Sequence, residues 1–345
     1  MSPETTSVNR LPMLNIEHFE QISLDGTWRF QLLHSPTEKL GKRWASIPVP
    51  GLWTMQEPSD VFFDKPIYTN TQMPFEEQPP FVPAENPTGI YERDFELPKS
   101  WAGKRVVLQV GGYESVALIH INGQEVGLTK DSRLAAEFDV TQYVRSGNNV
   151  VRIDVTKWSD ATFIEDQDQW WHGGITRSIK LYATNKVFIE RFKTVAGLEK
   201  DGTTGTLAIE ADLGSLDNLS TDGYTLRATI TELPKVKAAN LSKTIKNFTS
   251  PKWTERDADL KKRSDDYFHG KFWDGKIPAD AKAAIMENEP WPHGKVILET
   301  RIPKVNPWSA EAPHLYTLHI ELIDPSGAVI EVSQQRIGFR SIVIK

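Results

Sequence analysis

The chain has 345 residues, 39% hydrophobic and 25% charged, a balance that fits a soluble globular protein and excludes a disordered or membrane-embedded one. Its length exceeds one ordinary core of roughly 100 to 200 residues, so two domains are expected. A net charge of −6, a pI near 5.8 and the lack of a Lys/Arg stripe interleaved with aromatics argue against nucleic acid as a partner.

With no Cys there is no disulfide, thiolate metal site or Cys nucleophile, and a reducing, cytoplasmic location is expected. Residues 1–10 are polar and lack a basic start before an apolar run, so no signal peptide is expected. No stretch approaches the ~20 apolar residues of a membrane span. The basic run Lys261-Lys262-Arg263 lies among Asp257, Asp259, Asp265 and Asp266 and reads as a solvated face. The 11 Trp imply large aromatic cores, a flat surface that stacks on sugars or bases, or both.

Period-two alternation dominates along the chain, which predicts an all-β fold. Strands are predicted over 27–33, 91–97, 105–110 and 116–121, with Asn122-Gly123 as a type I′ hairpin turn. Val151-Arg152-Ile153-Asp154-Val155 places every second side chain on an apolar face, and 178–182 is a further strand. These strands predict a jelly-roll sandwich over 22–184, preceded by an extension over 1–21. Between them, residues 55–87 are rich in Pro and aromatics with no clean strand period, and a loop of that length is usually functional.

A second sandwich, of immunoglobulin-like type, is predicted over 185–345. Its strands include 295–302 and 316–322, with a turn at Asp324-Pro325-Ser326-Gly327. Residues 233–294 read as an irregular insertion with short helix-like pieces such as 280–288.

The richest chemistry lies in Trp158-Ser159-Asp160 and Glu165-Asp166-Gln167-Asp168-Gln169-Trp170-Trp171. Glu165, Asp166 and Asp168 repel one another unless a cation, ligand hydroxyls or backbone donors compensate. Carboxylate oxygens suit hard cations or sugar hydroxyls, and an indole face suits the C–H face of a pyranose. Spacing alone leaves open the alternative of an acidic solvated loop beside core tryptophans. The cluster fits poorly as a glycosidase acid and nucleophile, whose carboxyls sit roughly 5 Å apart on separate elements.

Asn70, in Pro66-Ile67-Tyr68-Thr69-Asn70, carries an amide able to read sugar hydroxyls, although by itself a turn-forming Asn is the simpler reading. Asn86-Pro87 reads as a turn into the next strand. His172 has no His partner and reads as a hydrogen-bonding loop residue. No HxxxH zinc spacing, phosphate-binding glycine loop or GxSxG elbow occurs.

Taken in order, several motifs resemble the N-terminal domains of family-two glycoside hydrolases, specifically the β-galactosidases. They are Leu24-Asp25-Gly26-Thr27-Trp28-Arg29-Phe30, Pro66-Ile67-Tyr68-Thr69-Asn70, Pro79-Pro80-Phe81-Val82-Pro83, Glu85-Asn86-Pro87-Thr88-Gly89, Asp131-Ser132-Arg133, Glu137-Phe138-Asp139, Glu165-Asp166-Gln167-Asp168 and Gly174-Ile175-Thr176-Arg177. Farther on, Pro307-Trp308-Ser309-Ala310-Glu311-Ala312-Pro313-His314-Leu315-Tyr316 and Ile337-Gly338-Phe339-Arg340 look like the same family's closing strands.

The resemblance implies a retaining enzyme acting on terminal β-D-galactosides such as lactose, with a TIM barrel expected after residue 345 to hold both catalytic glutamates and the magnesium ligands. Asn70 and Asp168 would bind the galactosyl ring, Asp168 would share a sodium ion with barrel residues, and Trp170 would be a pocket wall. No catalytic residue is expected in this chain; Asn288-Glu289 matches the family's acid/base pair in order only, with no strand before it. A homo-oligomer is implied for the intact enzyme. A stand-alone carbohydrate-binding module and a complementing or oligomerisation partner of a barrel-containing chain are the rival readings.

Overall fold

A computed structural model describes residues 5–12, 16–56, 64–216, 219–232, 239–244 and 295–342. The helix-like pieces expected over 280–288, Asn288-Glu289 and the basic run at 261–263 lie outside the described residues. The fold is all-β, as the alternation predicts; among the described residues the helical pieces are single 3₁₀ turns and no helix is long and apolar enough to cross a membrane.

Two compact units divide the chain, one of residues 1–13 and 20–183, the other of 14–19 and 184–345. In chain order the first carries β1 (Ser7–Val8), β2 (Gln21–Ser23), β3 (Gly26–Leu33), β4 (Ala45–Val49), β5 (Gly51–Leu52), β6 (Ile67–Thr69), β7 (Thr88–Leu97) and β8 (Arg105–Val110). There follow β9 (Tyr113–Glu114), β10 (Val116–Ile121), β11 (Gln124–Thr129), β12 (Ala136–Asp139), β13 (Gly147–Thr156), β14 (Gln169–Trp171), β15 (Gly174–Ile175) and β16 (Ile179–Thr184).

The sandwich of the first unit sets a seven-stranded sheet, β1-β11-β10-β13-β7-β3-β4, against a four-stranded one, β12-β8-β16-β2. Alternation decides which side chains enter the core: along β13 Val151, Ile153 and Val155 are buried while Arg152 and Asp154 pair with each other outside it. Between the sheets Phe30 meets Tyr91 edge-on at 4.9 Å and Trp53 at 6.2 Å. The hairpin turn forms at Asn122 and Gly123, with φ of 51° and 78° as a type I′ turn requires.

The second unit packs β17 (Val187–Leu198), β18 (Gly205–Ser215) and β21 (Lys295–Ile302) in one sheet. The other holds β20 (Ala239–Thr244), β19 (Thr225–Thr231), β22 (Tyr316–Ile323) and β23 (Val329–Ile337), completing the immunoglobulin-like sandwich. The chain's early segment also contributes here, with Ile16 in the core and Ser333 donating to the Glu17 carbonyl at 2.9 Å.

Two expectations need correction. The stretch 233–294 is not irregular throughout, because β20 lies inside it and pairs antiparallel with β19 from Thr225↔Thr244 to Ile230↔Ala239. Likewise 55–87 contains β6, three residues too short to show a period of two.

Trp53 is fully buried in a slot whose walls are glycines. A Cβ on Gly173 would fall 2.1 Å from the Trp53 ring, and one on Gly89 2.6 Å from it, so neither position admits a side chain without moving the indole. Overpacking of this kind costs about 1–3 kcal/mol. Gly173→Ala is therefore expected to lower the unfolding free energy of the first unit by about 1–3 kcal/mol, read as a lower urea midpoint at unchanged slope, and an unchanged midpoint would show that the slot can widen freely.

Candidate functional site

The site is built on β6 and β14, a two-stranded antiparallel pair in register Ile67↔Trp171, Tyr68↔Trp170 and Thr69↔Gln169. So small a ribbon is not stable alone and depends on what it packs against. Because successive side chains point to opposite faces, Thr69, Gln169 and Trp171 share one face, while Tyr68 and Trp170, with Asn70 and Asp168 continuing the alternation, share the other.

The inner face is anchored in aromatics. Trp171 is buried, donates its indole N–H to Thr69 Oγ1 at 2.6 Å and packs edge-on against Trp158 at 5.6 Å, which meets Phe75 at 5.4 Å. Asn86, read as a turn residue, also clasps the Trp158 backbone: its amide donates to the carbonyl at 2.8 Å and its carbonyl accepts from the N–H at 2.9 Å.

The outer face is open to solvent. Tyr68 and Trp170 are 51% and 56% exposed, with ring centroids 5.5 Å apart at 47°, so two large aromatic surfaces stand uncovered side by side. Beside them the Tyr68 hydroxyl donates to Asp168 Oδ1 at 2.6 Å and Asn70 Nδ2 to Asp168 Oδ2 at 3.4 Å. The hydrogen bond to Asp168 holds the Tyr68 phenol above its ordinary pKa. Asn70, Asp168 and Trp170, singled out from the sequence, thus stand on one face; Tyr68, which was not, joins them.

The three neighbouring carboxylates do not share one fate. Glu165 takes the Ser132 hydroxyl and burial raises its pKa, Asp168 takes Tyr68 and Asn70, and one buried oxygen of Asp166 has no donor. Asp160 is paired with Lys130 at 2.7 Å. Among the described residues no three His, Asp or Glu side chains converge on a point that could hold a metal. Asp168 is an exposed carboxylate of the oxygen type that hard cations take, with its two oxygens engaged by Tyr68 and Asn70.

Beneath the site lies an ion pair that the sequence does not flag. Lys157 is 2% exposed and donates to both oxygens of Asp64, at 2.9 and 2.8 Å, and to the Lys65 carbonyl at 3.2 Å. Asp64 also accepts the Trp53 indole N–H at 2.7 Å. His172 hydrogen-bonds Thr54 Oγ1 through Nδ1 at 2.9 Å, in keeping with a loop histidine held by its neighbours.

An exposed carboxylate, an amide that both donates and accepts, and two aromatic faces form a surface able to hold a polyhydroxylated ring. Comparison with known proteins decides the family. Residues 21–185 match the sugar binding domain of glycosyl hydrolases family 2, and residues 187–340 match a second domain of glycosyl hydrolases family 2. The chain belongs to glycosyl hydrolase family 2.

Among its relatives, the β-galactosidase of Psychromonas ingrahamii is 31% identical over 94% of this chain and 28% of its own length. That of Vibrio cholerae is 33% identical over 93% of this chain and 28% of its own length. That of Kluyveromyces lactis is 31% identical over 100% of this chain and 32% of its own length. The chain therefore spans roughly a third or less of these family 2 relatives. Its fold is shared with a Bacteroides uniformis β-glucuronidase, at a TM-score of 0.62 and 17% identity over 93% of this chain and 32% of that one. A Bifidobacterium dentium β-glucuronidase superposes at 0.61, with 17% identity over 95% of this chain and 50% of that one.

Burial lowers the pKa of His172, and likewise of His120 on β10. Such a histidine takes up its proton less readily folded than unfolded. Between the folded value and the unfolded one, about 6.5, the unfolded chain therefore binds more protons, so stability is full above that window and is lost as the pH falls through it. Lowering the pH from about 7.5 to about 5.5 should reduce the urea midpoint, and the double variant His120→Asn, His172→Asn should show a smaller drop. An equal drop in both proteins would remove these histidines as the cause.

Proposed function

We propose that this chain is the galactose-recognition and scaffold part of a retaining β-galactosidase acting on terminal β-D-galactosides such as lactose in the cytoplasm. The observation that carries the reading is the outer face of the β6–β14 ribbon, where Asn70 and Tyr68 converge on Asp168 beside the exposed ring of Trp170. The relatives that match along nearly the whole chain are named β-galactosidases, which favours galactose over glucuronate even though β-glucuronidases share the fold.

Under this reading Asp168 accepts from a galactose hydroxyl, Asn70 donates to or accepts from another, and Trp170 closes one side of the pocket. Fixing the ring in this way lowers the barrier by setting geometry rather than by moving a proton. The two carboxylates of a double displacement, and the magnesium ligands, would come from a barrel domain outside these residues. A sodium ion shared between Asp168 and that barrel would supply positive charge for a sugar hydroxyl. The intact enzyme would be a homo-oligomer.

The test combines this chain with a chain carrying the barrel and assays a chromogenic galactoside. Asp168→Asn and Asn70→Ala should each cut kcat/KM about 10- to 100-fold, the loss of a hydrogen bond worth about 1.5–3 kcal/mol where charge is involved. Activity unchanged by both substitutions would sink the assignment. Calorimetry on the 345 residues alone should show only very weak heat with lactose; tight binding would instead make the chain a self-sufficient carbohydrate-binding module.

A further inference from the structure

Strand β14 presents Trp170 on its outer face and follows directly on Asp168, yet it is only three residues long and pairs with an equally short partner. Something else must set its position, and the inner side holds a charged pair that grips it at both ends. Arg133 Nη1 donates to Gln169 Oε1 at 2.8 Å, at the start of β14, and Arg133 Nε donates to Glu114 Oε1 at 2.9 Å. The other oxygen of Glu114 accepts the backbone N–H of His172, the residue just past the end of β14, at 3.2 Å. Gln169 in turn donates to the Glu165 carbonyl at 3.1 Å, closing the loop that contains Asp168, and Ser132 holds the Glu165 carboxylate.

The turn that supplies Ser132 and Arg133 is itself fixed. Tyr113, wholly buried, donates its hydroxyl to the Asp131 carbonyl at 3.0 Å, its phenol oxygen lies 2.7 Å from the Thr129 hydroxyl, which can donate to it, and its own carbonyl accepts the Arg133 N–H at 3.0 Å. Arg133 has φ of +66°, a left-handed conformation that a long side chain rarely adopts and that costs of order 1 kcal/mol or more. The surrounding bonds hold it there, and the result aims its planar guanidinium at Glu114 and Gln169 together, a fork that a Lys could not reproduce. Glu114 is 12% exposed and Arg133 35%.

We infer that the Arg133–Glu114 pair is a positioning device for the sugar-reading face, fixing β14 at both ends so that Asp168 and Trp170 meet Asn70 and Tyr68. Its consequence for binding rests on the galactoside reading; its geometry does not. Arg133 and Glu114 are positioning residues and touch no substrate themselves.

Two variants test it. Arg133→Asn removes the guanidinium with a residue that tolerates the left-handed backbone, and Gln169→Leu removes the other partner while preserving bulk. Both are compared with wild type and Asp168→Asn in the full 345-residue chain by two readouts. The first is the contact between the Tyr68 and Trp170 rings, 5.5 Å apart centre to centre, followed by nuclear Overhauser effects in selectively labelled protein, which reports whether the outer face is still assembled. The second is binding of methyl β-D-galactopyranoside at millimolar concentration by saturation-transfer NMR.

Both variants should weaken the Tyr68–Trp170 ring contact, which Asp168→Asn should leave in place, and weaken galactoside binding roughly ten-fold or more. A purely structural role would lower the melting temperature and leave that contact where it was. If Arg133→Asn does not fold, Gln169→Leu decides alone. A Tyr68–Trp170 contact that keeps its wild-type strength in the folded variants overturns the inference. A weakened contact with no galactoside bound by any form, wild type included, upholds the positioning role and removes the galactoside reading instead.

Discussion

A lysine ammonium that is 2% exposed has to find a carboxylate, because an unpaired charge at that depth costs several kcal/mol. Lys157 follows the last residue of β13 and finds Asp64, 93 positions earlier, which engages it with both oxygens. Burial lowers the lysine's pKa while Asp64 and the Lys65 carbonyl hold its proton in place, and the ammonium lies 5.0 Å from the Trp158 ring centre. Asp64 leads within three residues into β6, and Lys157 leads into the Trp158-Ser159-Asp160 turn. One ion pair therefore draws together two stretches that must be adjacent before β6 can pair with β14.

From that constraint the division of labour among the tryptophans follows. Trp170 and Trp171 are neighbours on a strand and so face opposite ways. Trp171 goes inward to Trp158, which meets Phe75, and holds the ribbon down; Trp170 goes outward and stays exposed. The same parity sends Asp168 outward and Gln169 inward, where Arg133 takes it. Burying one face is what makes the other presentable, since a free two-stranded ribbon would not persist. The abundance of Trp, ambiguous in the sequence between core and exposed surface, divides between buried anchors such as Trp53 and Trp171 and the exposed ring of Trp170.

What the sequence revealed divides along physical lines. Strands that bury one face and expose the other, such as β13 and β22, are legible because alternation is their cause. The strand β20 was missed inside a polar stretch, and β6 is too short to carry any period. Asn70 and Asp168 drew attention through residue type and a family pattern, but their meeting is set by strand register, which brings residues 98 positions apart within hydrogen-bond distance. Tyr68 went unnoticed for that reason. Lys157, Glu114 and Arg133 were invisible as partners because a lone charged residue gives no local sign of which distant group it will face.

A buried ion pair, through the ribbon it permits, thus fixes the outer face that Tyr68, Asn70, Asp168 and Trp170 share. Backbone hydrogen exchange measures that directly, comparing residues 67–70 and 169–171 in the native chain and in Lys157→Met. The account predicts protected amides in the native chain and selective loss of that protection in the variant, with β10 and β13 still protected. Rapid exchange of both segments in the native chain, or protection that survives Lys157→Met, would contradict it.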